Sequence, residues 1–135
     1  MTPSIPKNEY VTDTMGLVLK LEKRQMGGRA RHLFQLADRK EAIIHIPAMV
    51  FAEILYLSER RRITVTVDEL DSLLASTSAY LPSPLTLSII LHASGIKDIP
   101  ELHDRLIAGT AVAMHLPLIT NDPVISKSTS VRCIW

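Results

Sequence analysis

The sequence has only one cysteine, Cys133, so it cannot form an intrachain disulfide. A chain without disulfides fits a reducing compartment. No stretch approaches the roughly eighteen consecutive apolar residues of a membrane-spanning helix, and the first ten residues lack the apolar segment of a secretory signal. We therefore expect a cytoplasmic protein that does not enter a membrane.

The sequence also lacks an excess of charge of either sign. Its 15 lysines and arginines nearly balance 14 acidic residues, which leaves a formal net charge of +1. This balance argues against strong nonspecific electrostatic binding by the whole molecule. It does not exclude an enzyme that acts on nucleic acid, because bound divalent cations would add positive charge that the residue count omits. Aromatic residues, at 4%, are too few to indicate a base-stacking platform.

The length indicates one domain. A chain of 135 residues can bury a sizeable core, and no repeat, low-complexity segment or long linker divides it. We predict a single domain over residues 1–135, in which residues 1–8, with two prolines, form a loose leader.

Short β-branched runs alternate with segments of helical spacing. Strands are predicted at 9–13, 42–46, 80–81, 117–120 and 131–135. Helices are predicted at 15–26, 28–40, 47–60, 68–76, 86–93 and 101–114, with Asp68 as the cap of the fourth. This alternation predicts an α/β fold of three layers, with a mostly parallel central sheet and helices on both faces.

Two acidic residues follow predicted strands. Asp13 closes the first strand, and Asp122 comes two residues after the Pro117–Thr120 run. Parallel sheets of this kind bind ligands beyond the carboxyl ends of their strands, at the point where the strand order reverses. Both aspartates are therefore expected at that edge.

Two further carboxylates lie on apolar helix faces. The neighbours of Glu53 at helical spacing are all apolar: Met49, Val50, Tyr56 and Leu57. Those of Asp104 are apolar too: Ile107, Ala108 and Ala111. A carboxylate on a buried face costs several kcal/mol unless it is paired, and neither residue has an obvious cation on its face.

A divalent cation would account for both positions, because Mg²⁺ prefers hard oxygen ligands and would offset the repulsion within a carboxylate cluster. Each residue also has an ordinary structural explanation. Asp13 could form a turn or cap a helix, and Asp122 could form a turn in Asn-Asp-Pro. Glu53 could pair with Arg60 or Arg61, and Asp104 could pair with Arg105 or a distant lysine. The set of four, in its order and setting, favours a metal site.

The same residues carry a resemblance to a known family. The matching segments are Tyr10–Thr14, Ile46–Leu57, Ile99–Ala111, Leu116–Asp122 and the closing Ile134-Trp135, which together reach across nearly the whole chain. In these segments the chain resembles PIN-domain proteins, in particular the VapC-type toxin ribonucleases of type II toxin–antitoxin pairs.

The resemblance implies a PIN fold and an endoribonuclease that hydrolyses RNA phosphodiester bonds with Mg²⁺ or Mn²⁺. The positions that match the family's metal ligands are Asp13, Glu53, Asp104 and Asp122. It also implies a homodimer that a cognate antitoxin silences. Thr120 matches a family hydroxyl that lies near the site, and Thr14 follows the first aspartate as in many members. Both are candidate substrate contacts. Met15 and Gly109 depart from the family pattern, which more often has a small polar residue or histidine at the first position and alanine at the second.

Basic residues supply candidate RNA contacts. Arg60 and Arg61 belong to the densest basic run, which is either a solvated helix end or a substrate contact. A looser basic group flanks the Gly27-Gly28 break and could line a phosphate path: Lys20, Lys23, Arg24, Arg29 and Arg31. We also expect an apolar patch for a dimer mate or an antitoxin helix, formed by Leu17, Leu19, Leu33 and Phe34.

Two alternatives come from other functional classes. A receiver-type phosphoacceptor domain is also a small α/β protein with an acidic site, but the run AIIHIPA has no aspartate to phosphorylate. Thr120-Asn121-Asp122 stands where such a domain would need a lysine. The other alternative is a catalytically weak PIN-like module that only binds a partner.

Overall fold

The computed structural model describes residues 8–135. The leader predicted for residues 1–8 therefore lies outside the described residues, except for Asn8. The Asn8 carbonyl accepts a hydrogen bond from the backbone N–H of Ile43 at 2.8 Å, which ties the start of the described chain to the second strand.

Within residues 8–135, five strands form one parallel sheet. They are β1 (Glu9–Thr12), β2 (Ile43–Pro47), β3 (Tyr80–Ser83), β4 (Leu118–Ile119) and β5 (Cys133–Ile134). Their order across the sheet is β3-β2-β1-β4-β5, and every neighbouring pair is parallel. The chain therefore moves to one side of β1 first and to the other side later, so that the strand order reverses between β1 and β4.

The helices follow the strands in alternation. They are α1 (Thr14–Leu21), α2 (Gly28–Asp38), α3 (Ala48–Glu59), α4 (Val67–Ser76), α5 (Leu87–Ser94), α6 (Leu102–Met114) and α7 (Pro123–Ser126). Because crossovers between parallel strands are right-handed, the reversal of strand order places helices on both faces of the sheet. The predicted α/β class is confirmed. None of the helices within residues 8–135 is long and apolar enough to cross a membrane.

The core lies at the centre of the sheet. Val11, Ile44, Ile46 and Leu118 are fully buried, as runs on strands covered on both faces should be. The apolar patch expected on the first two helices is wrong, because Leu17, Leu33 and Phe34 belong to this core and Leu19 is partly buried. These side chains form the inward-facing apolar stripes of α1 and α2 instead.

The helices differ from the sequence-based predictions mainly in one helix end, one cap and one additional helix. The first helix ends at Leu21 rather than 26, because Lys23 takes a left-handed conformation (φ 55°) and the next amide bonds back to the Leu19 carbonyl. The cap of α4 is Thr66, not Asp68, since the Thr66 hydroxyl accepts the Glu69 amide at 3.2 Å. The short helix α7 was not predicted at all.

Helices α5 and α6 pack closely through a glycine. A Cβ atom added to Gly109 would lie 2.8 Å from the Cβ of Ala93 and 3.1 Å from its Cα and N. Such distances are shorter than packed carbon atoms adopt. The glycine that departs from the family pattern therefore sets the spacing of these two helices, and α6 carries Asp104.

Candidate active site

Two acidic segments meet where the strand order reverses. Asp13 directly follows β1, and residues 120–122 directly follow β4, its hydrogen-bonded neighbour. The amide of Asp13 donates to the carbonyl of Ile119 at 3.0 Å, so the two strand ends are joined at this point. Crevices at such reversals are the usual ligand sites of open parallel sheets, and the predicted position of Asp13 and Asp122 is confirmed.

Asp13 is buried, and each of its carboxylate oxygens accepts one hydrogen bond. One oxygen, Oδ1, accepts the Gly16 amide at 2.7 Å and caps α1, while Oδ2 accepts the Thr120 hydroxyl at 2.5 Å. Burial raises the pKa of its carboxyl from 3.8 to about 6, against the lowering effect of these two hydrogen bonds, and the charges of Asp122 and Glu53 raise it further. The Asp13 carboxyl is therefore buried at a position where its ionisation costs free energy.

Gly16 allows this arrangement. A Cβ atom at this position would lie 2.9 Å from the Thr12 hydroxyl and 3.0 Å from Oδ1 of Asp13. A side chain here would push against the carboxylate that its own backbone amide binds.

Glu53 reaches the site from the second turn of α3. Its Oε1 accepts the Thr14 hydroxyl at 2.8 Å, a contact between residues 39 positions apart. The expectation that Glu53 lies on a buried apolar face is wrong in part, because Tyr56 on that face is 51% exposed and Glu53 itself is half-buried. The carboxylate can therefore reach both protein and solvent.

Asp104 lies in the first turn of α6, on the apolar face that was predicted. Ile107, Ala108 and Ala111 are all buried beneath it. Its side chain is half-exposed and accepts no hydrogen bond from residues 8–135. Burial raises the pKa of its carboxyl to about 6, and the charges of Asp122, Glu101, Glu53 and Asp13 add to the increase.

Asp122 caps the short helix α7. Its Oδ1 accepts the amides of Val124 at 2.9 Å and Ile125 at 3.0 Å, so the turn explanation of Asn-Asp-Pro also holds. Its own amide donates to the Thr120 hydroxyl at 3.1 Å. That hydroxyl donates to Asp13 at the same time, so Thr120 links the two aspartates.

The four carboxylates line one cavity of about 740 Å³, together with Thr14 and Met15. They come from four separate segments of the chain, after β1, in α3, in α6 and after β4. Arg60 and Arg61 do not line it. α3 carries Arg60 about 10 Å past Glu53 along the helix axis, and its guanidinium lies over the Tyr56 ring at 4.2 Å.

The model of the PIN domain family matches residues 17–128. The chain is a PIN domain protein.

The similar solved structures have the same fold as this PIN domain. VapBC2 of Rickettsia felis, bound to a fragment of promoter DNA, is 20% identical with a TM-score of 0.68, over 93% of this chain and 97% of that chain. VapC20 of Mycobacterium tuberculosis, a toxin that cleaves the sarcin–ricin loop, is 14% identical with a TM-score of 0.61, over 91% and 98%. A toxin–antitoxin complex from Klebsiella pneumoniae is 15% identical with a TM-score of 0.63, over 90% and 94%. The comparison with curated protein sequences gives no significant match.

Several residues of the PIN domain cavity were not predicted as site residues. Gln25, Met26, Asn121 and Trp135 line it, as does Arg24, which the sequence placed only in a loose basic group. A Cβ atom at Gly27 would lie 2.5 Å from the Trp135 carbonyl carbon and 2.6 Å from its ring, so the glycine lets Trp135 pack close to this loop. Because Gly27 and Trp135 are 108 positions apart, the sequence alone carries no signal of this contact.

The four acidic side chains and Thr14 offer carboxylate and hydroxyl oxygens to the cavity, and such oxygens suit a hard divalent cation. In the part of the chain that the structure describes, however, no three acidic, histidine or cysteine side chains stand in an arrangement that could hold an ion. Oxygens of Asp13, Glu53 and Asp122 are engaged with amide or hydroxyl donors. Metal binding by this PIN domain therefore requires some of these side chains to turn toward one another.

Proposed function

We propose that this chain is a single PIN nuclease domain, an Mg²⁺- or Mn²⁺-dependent endoribonuclease that serves as the toxin of a toxin–antitoxin pair. The observation that carries the proposal is the convergence of Asp13, Glu53, Asp104 and Asp122 on one cavity at the reversal of strand order. VapC20, which shares the fold, cleaves RNA of the sarcin–ricin loop, and this supports the same class of reaction here.

The electrostatics of the cavity support a bound cation. The raised pKa values of Asp13 and Asp104 arise from burial and from the other carboxylates. A divalent cation among them would offset both costs, because it replaces repulsion between like charges with attraction. The residues present therefore fit the metal chemically, and Asp13 and Asp104 are the principal ligands in this proposal, with Glu53 and Asp122 completing the set.

A bound divalent cation would lower the pKa of a coordinated water and offset the charge that develops on the phosphoryl oxygens. The chain's own hydroxyl side chains hold the carboxylates in position. Thr120 holds Asp13 and Asp122 at a fixed separation, and Thr14 holds Glu53 toward the same cavity. Asp104 has both oxygens open to a ligand. Thr14 lines the cavity and is the hydroxyl that can meet the substrate, while Thr120, 1% exposed, acts through the aspartates.

The remaining parts of the proposal concern partners. RNA is the substrate, a cognate antitoxin is the inhibitor, and the cytoplasm is where such a toxin meets RNA. Structures of similar fold were solved as toxin–antitoxin complexes, which supports the antitoxin. A homodimer is supported by the exposed apolar face of α5, where Leu87 is 71% and Leu91 61% exposed, with Ile90 beside them.

The test is cleavage of total cellular RNA by the purified protein, mapped by primer extension, because a selective toxin can leave a generic RNA intact. We expect fragments that require Mn²⁺ or Mg²⁺ and disappear in EDTA. Asp104→Asn should abolish them, whereas Asp71→Asn, which removes an exposed carboxylate from α4, should not. Fragments that persist in Asp104→Asn would show that the assigned site is wrong. No cleavage of any RNA and no response to metal would leave the partner-binding module as the function.

A further inference from the structure

A second cavity, of about 540 Å³, adjoins the carboxylate cavity between the end of α1 and the side of α2. The two share four lining residues: Leu19, Arg24, Gln25 and Met26. A polymeric ligand bound at the carboxylates can therefore extend across this shared wall into the second cavity.

The second cavity is strongly basic. Lys20, Lys23, Arg24 and Arg31 line it, against one acid, Asp38. Asp38 is already engaged, because it accepts the Tyr80 hydroxyl at 2.7 Å and pairs with Lys20 at 3.1 Å. A protein with a net charge of +1 thus concentrates four cations in one concave surface.

Two of these cations are free to bind an anion. Within residues 8–135, Lys23 and Arg31 form no ion pair, whereas Lys20 and Arg24 each contact one carboxylate. Lys23 and Arg31 are exposed at the mouth of the cavity. An anion there gains charge–charge attraction without first having to displace an existing protein partner.

The loop that carries these cations is anchored. The carboxylate of Glu22 accepts the Thr64 amide at 2.6 Å and its hydroxyl at 2.8 Å, 42 positions along the chain. These bonds hold the pKa of Glu22 below its usual range. The turn after α1 is therefore fixed to the segment before α4, and Lys23 and Arg24 project from a defined surface.

We infer that this basic cavity binds the backbone phosphates of single-stranded RNA that flank the bond cut at the carboxylates. The inference rests on the proposed function. When the scissile phosphate of an RNA lies at the carboxylates, the nucleotides on either side of it must extend away from the carboxylate cavity. The wall shared by the two cavities leads from the carboxylates to the cations of the basic cavity. Basic grooves that track the backbone are the usual means of holding a single strand. An acidic peptide would use the same charges but has no reason to pass the carboxylates.

Lys23 has a matched control elsewhere in the chain. Lys23 and Lys40 are both exposed, both follow a helix end, and both are left-handed, with φ of 55° and 61°. Lys40 lines neither cavity. Replacing either by glycine removes one positive charge and relieves the same backbone conformation. Neither variant should be less stable than the wild type, which urea unfolding can check.

The experiment is fluorescence anisotropy of a labelled oligouridylate, titrated with protein in EDTA at several salt concentrations. Lys23→Gly should weaken binding about three- to tenfold at low salt and reduce the slope of log K against log salt by about 0.7 for one lost phosphate contact. Lys40→Gly should stay within about twofold of wild type. Arg31→Ala and Arg29→Ala form a second pair on α2, of which only Arg31 lines the cavity.

Equal losses in Lys23→Gly and Lys40→Gly, or no loss in either, would overturn the inference, since both show that the position of the charge does not matter. Polyglutamate that competes with wild type, and whose binding alone depends on Lys23, would also overturn it in favour of an acidic protein segment. The assay needs no metal, so it is separate from the nuclease. If oligouridylate binding follows Lys23 while no RNA is cleaved, the RNA site stands and the nuclease proposal fails.

Discussion

Asp13→Asn should make the metal-free protein more stable. The asparagine keeps the shape of the side chain, and its carbonyl oxygen can still accept the Gly16 amide. The substitution removes only the negative charge of the buried Asp13 carboxylate. The oxygen of the Thr120 hydroxyl already accepts the Asp122 amide and can accept a second hydrogen bond from the new amide group. The contact across the two strand ends then survives, but the Thr120 hydroxyl loses its own acceptor, so the gain that follows from the pKa of Asp13 is an upper limit.

The size of the effect follows from the pKa of Asp13. Burial raises this pKa from 3.8 to about 6, and at about 1.4 kcal/mol per pKa unit the difference amounts to about 3 kcal/mol. The native state binds the proton more tightly than the unfolded chain does, so the free energy of unfolding falls as the pH rises from about 4 to about 6. Above that window the wild type carries the whole cost, and below it Asp13 is protonated in both states.

The assay is urea unfolding of wild type and Asp13→Asn in EDTA, at about pH 8 and about pH 4. At the higher pH the variant should be more stable by up to about 3 kcal/mol, which is about 10 °C in melting temperature for a domain of this size. At the lower pH the two should unfold together. A variant that is no more stable at pH 8, or whose advantage persists at pH 4, would refute the reasoning. Asp71→Asn, an exposed carboxylate, should change little at either pH.

Other features give shorter tests. Trp135 is the only tryptophan and lines the carboxylate cavity. Paramagnetic Mn²⁺ should therefore quench its fluorescence, and Asp104→Asn should abolish the quenching. Quenching that survives in the variant would place the ion elsewhere. Gly109→Ala should destabilise by about 1–3 kcal/mol in urea unfolding, because the new methyl meets the backbone of α5. Gly28→Ala, at the start of α2 with open space around it, should be neutral or stabilising. Thr120→Val should lower the rate of RNA cleavage at least tenfold and Thr120→Ser should retain it, since only the hydroxyl links the aspartates; equal rates in both variants would exclude that role.

The sequence was sufficient to predict the sheet and its acidic edge. Alternating β-branched runs and helical segments predicted all five strands, and the rule for open parallel sheets predicted where Asp13 and Asp122 meet. Asp104 was predicted on an apolar face because three apolar residues recur at helical spacing, and the structure buries all three. These features depend on local patterns, which a single sequence records directly.

Features that depend on distant contacts could not be predicted. The end of α1 is set by a left-handed Lys23, and no glycine marks that position. The hydroxyl of Thr14 donates a hydrogen bond to Glu53, 39 positions away, and the amide of Thr64 donates one to Glu22, 42 positions away. Strand ends and apolar helix faces indicated the set of four carboxylates, and the resemblance to the PIN family supported it. Neither indicated which oxygens face the cavity and which are held by backbone amides.

The contact between Gly109 and Ala93 has a consequence for how this sequence can change. Neither position can accept a larger side chain alone, because each occupies the space that the other would need. Their substitutions should therefore be epistatic. Ala93→Gly should be costly by itself but should recover part of the stability that Gly109→Ala loses, because it removes the 2.8 Å contact and leaves the 3.1 Å contacts with the Ala93 backbone. α6 carries Asp104 as well as this contact. Gly109 and Ala93 do not line the carboxylate cavity, yet they limit which variants can keep Asp104 in its position there.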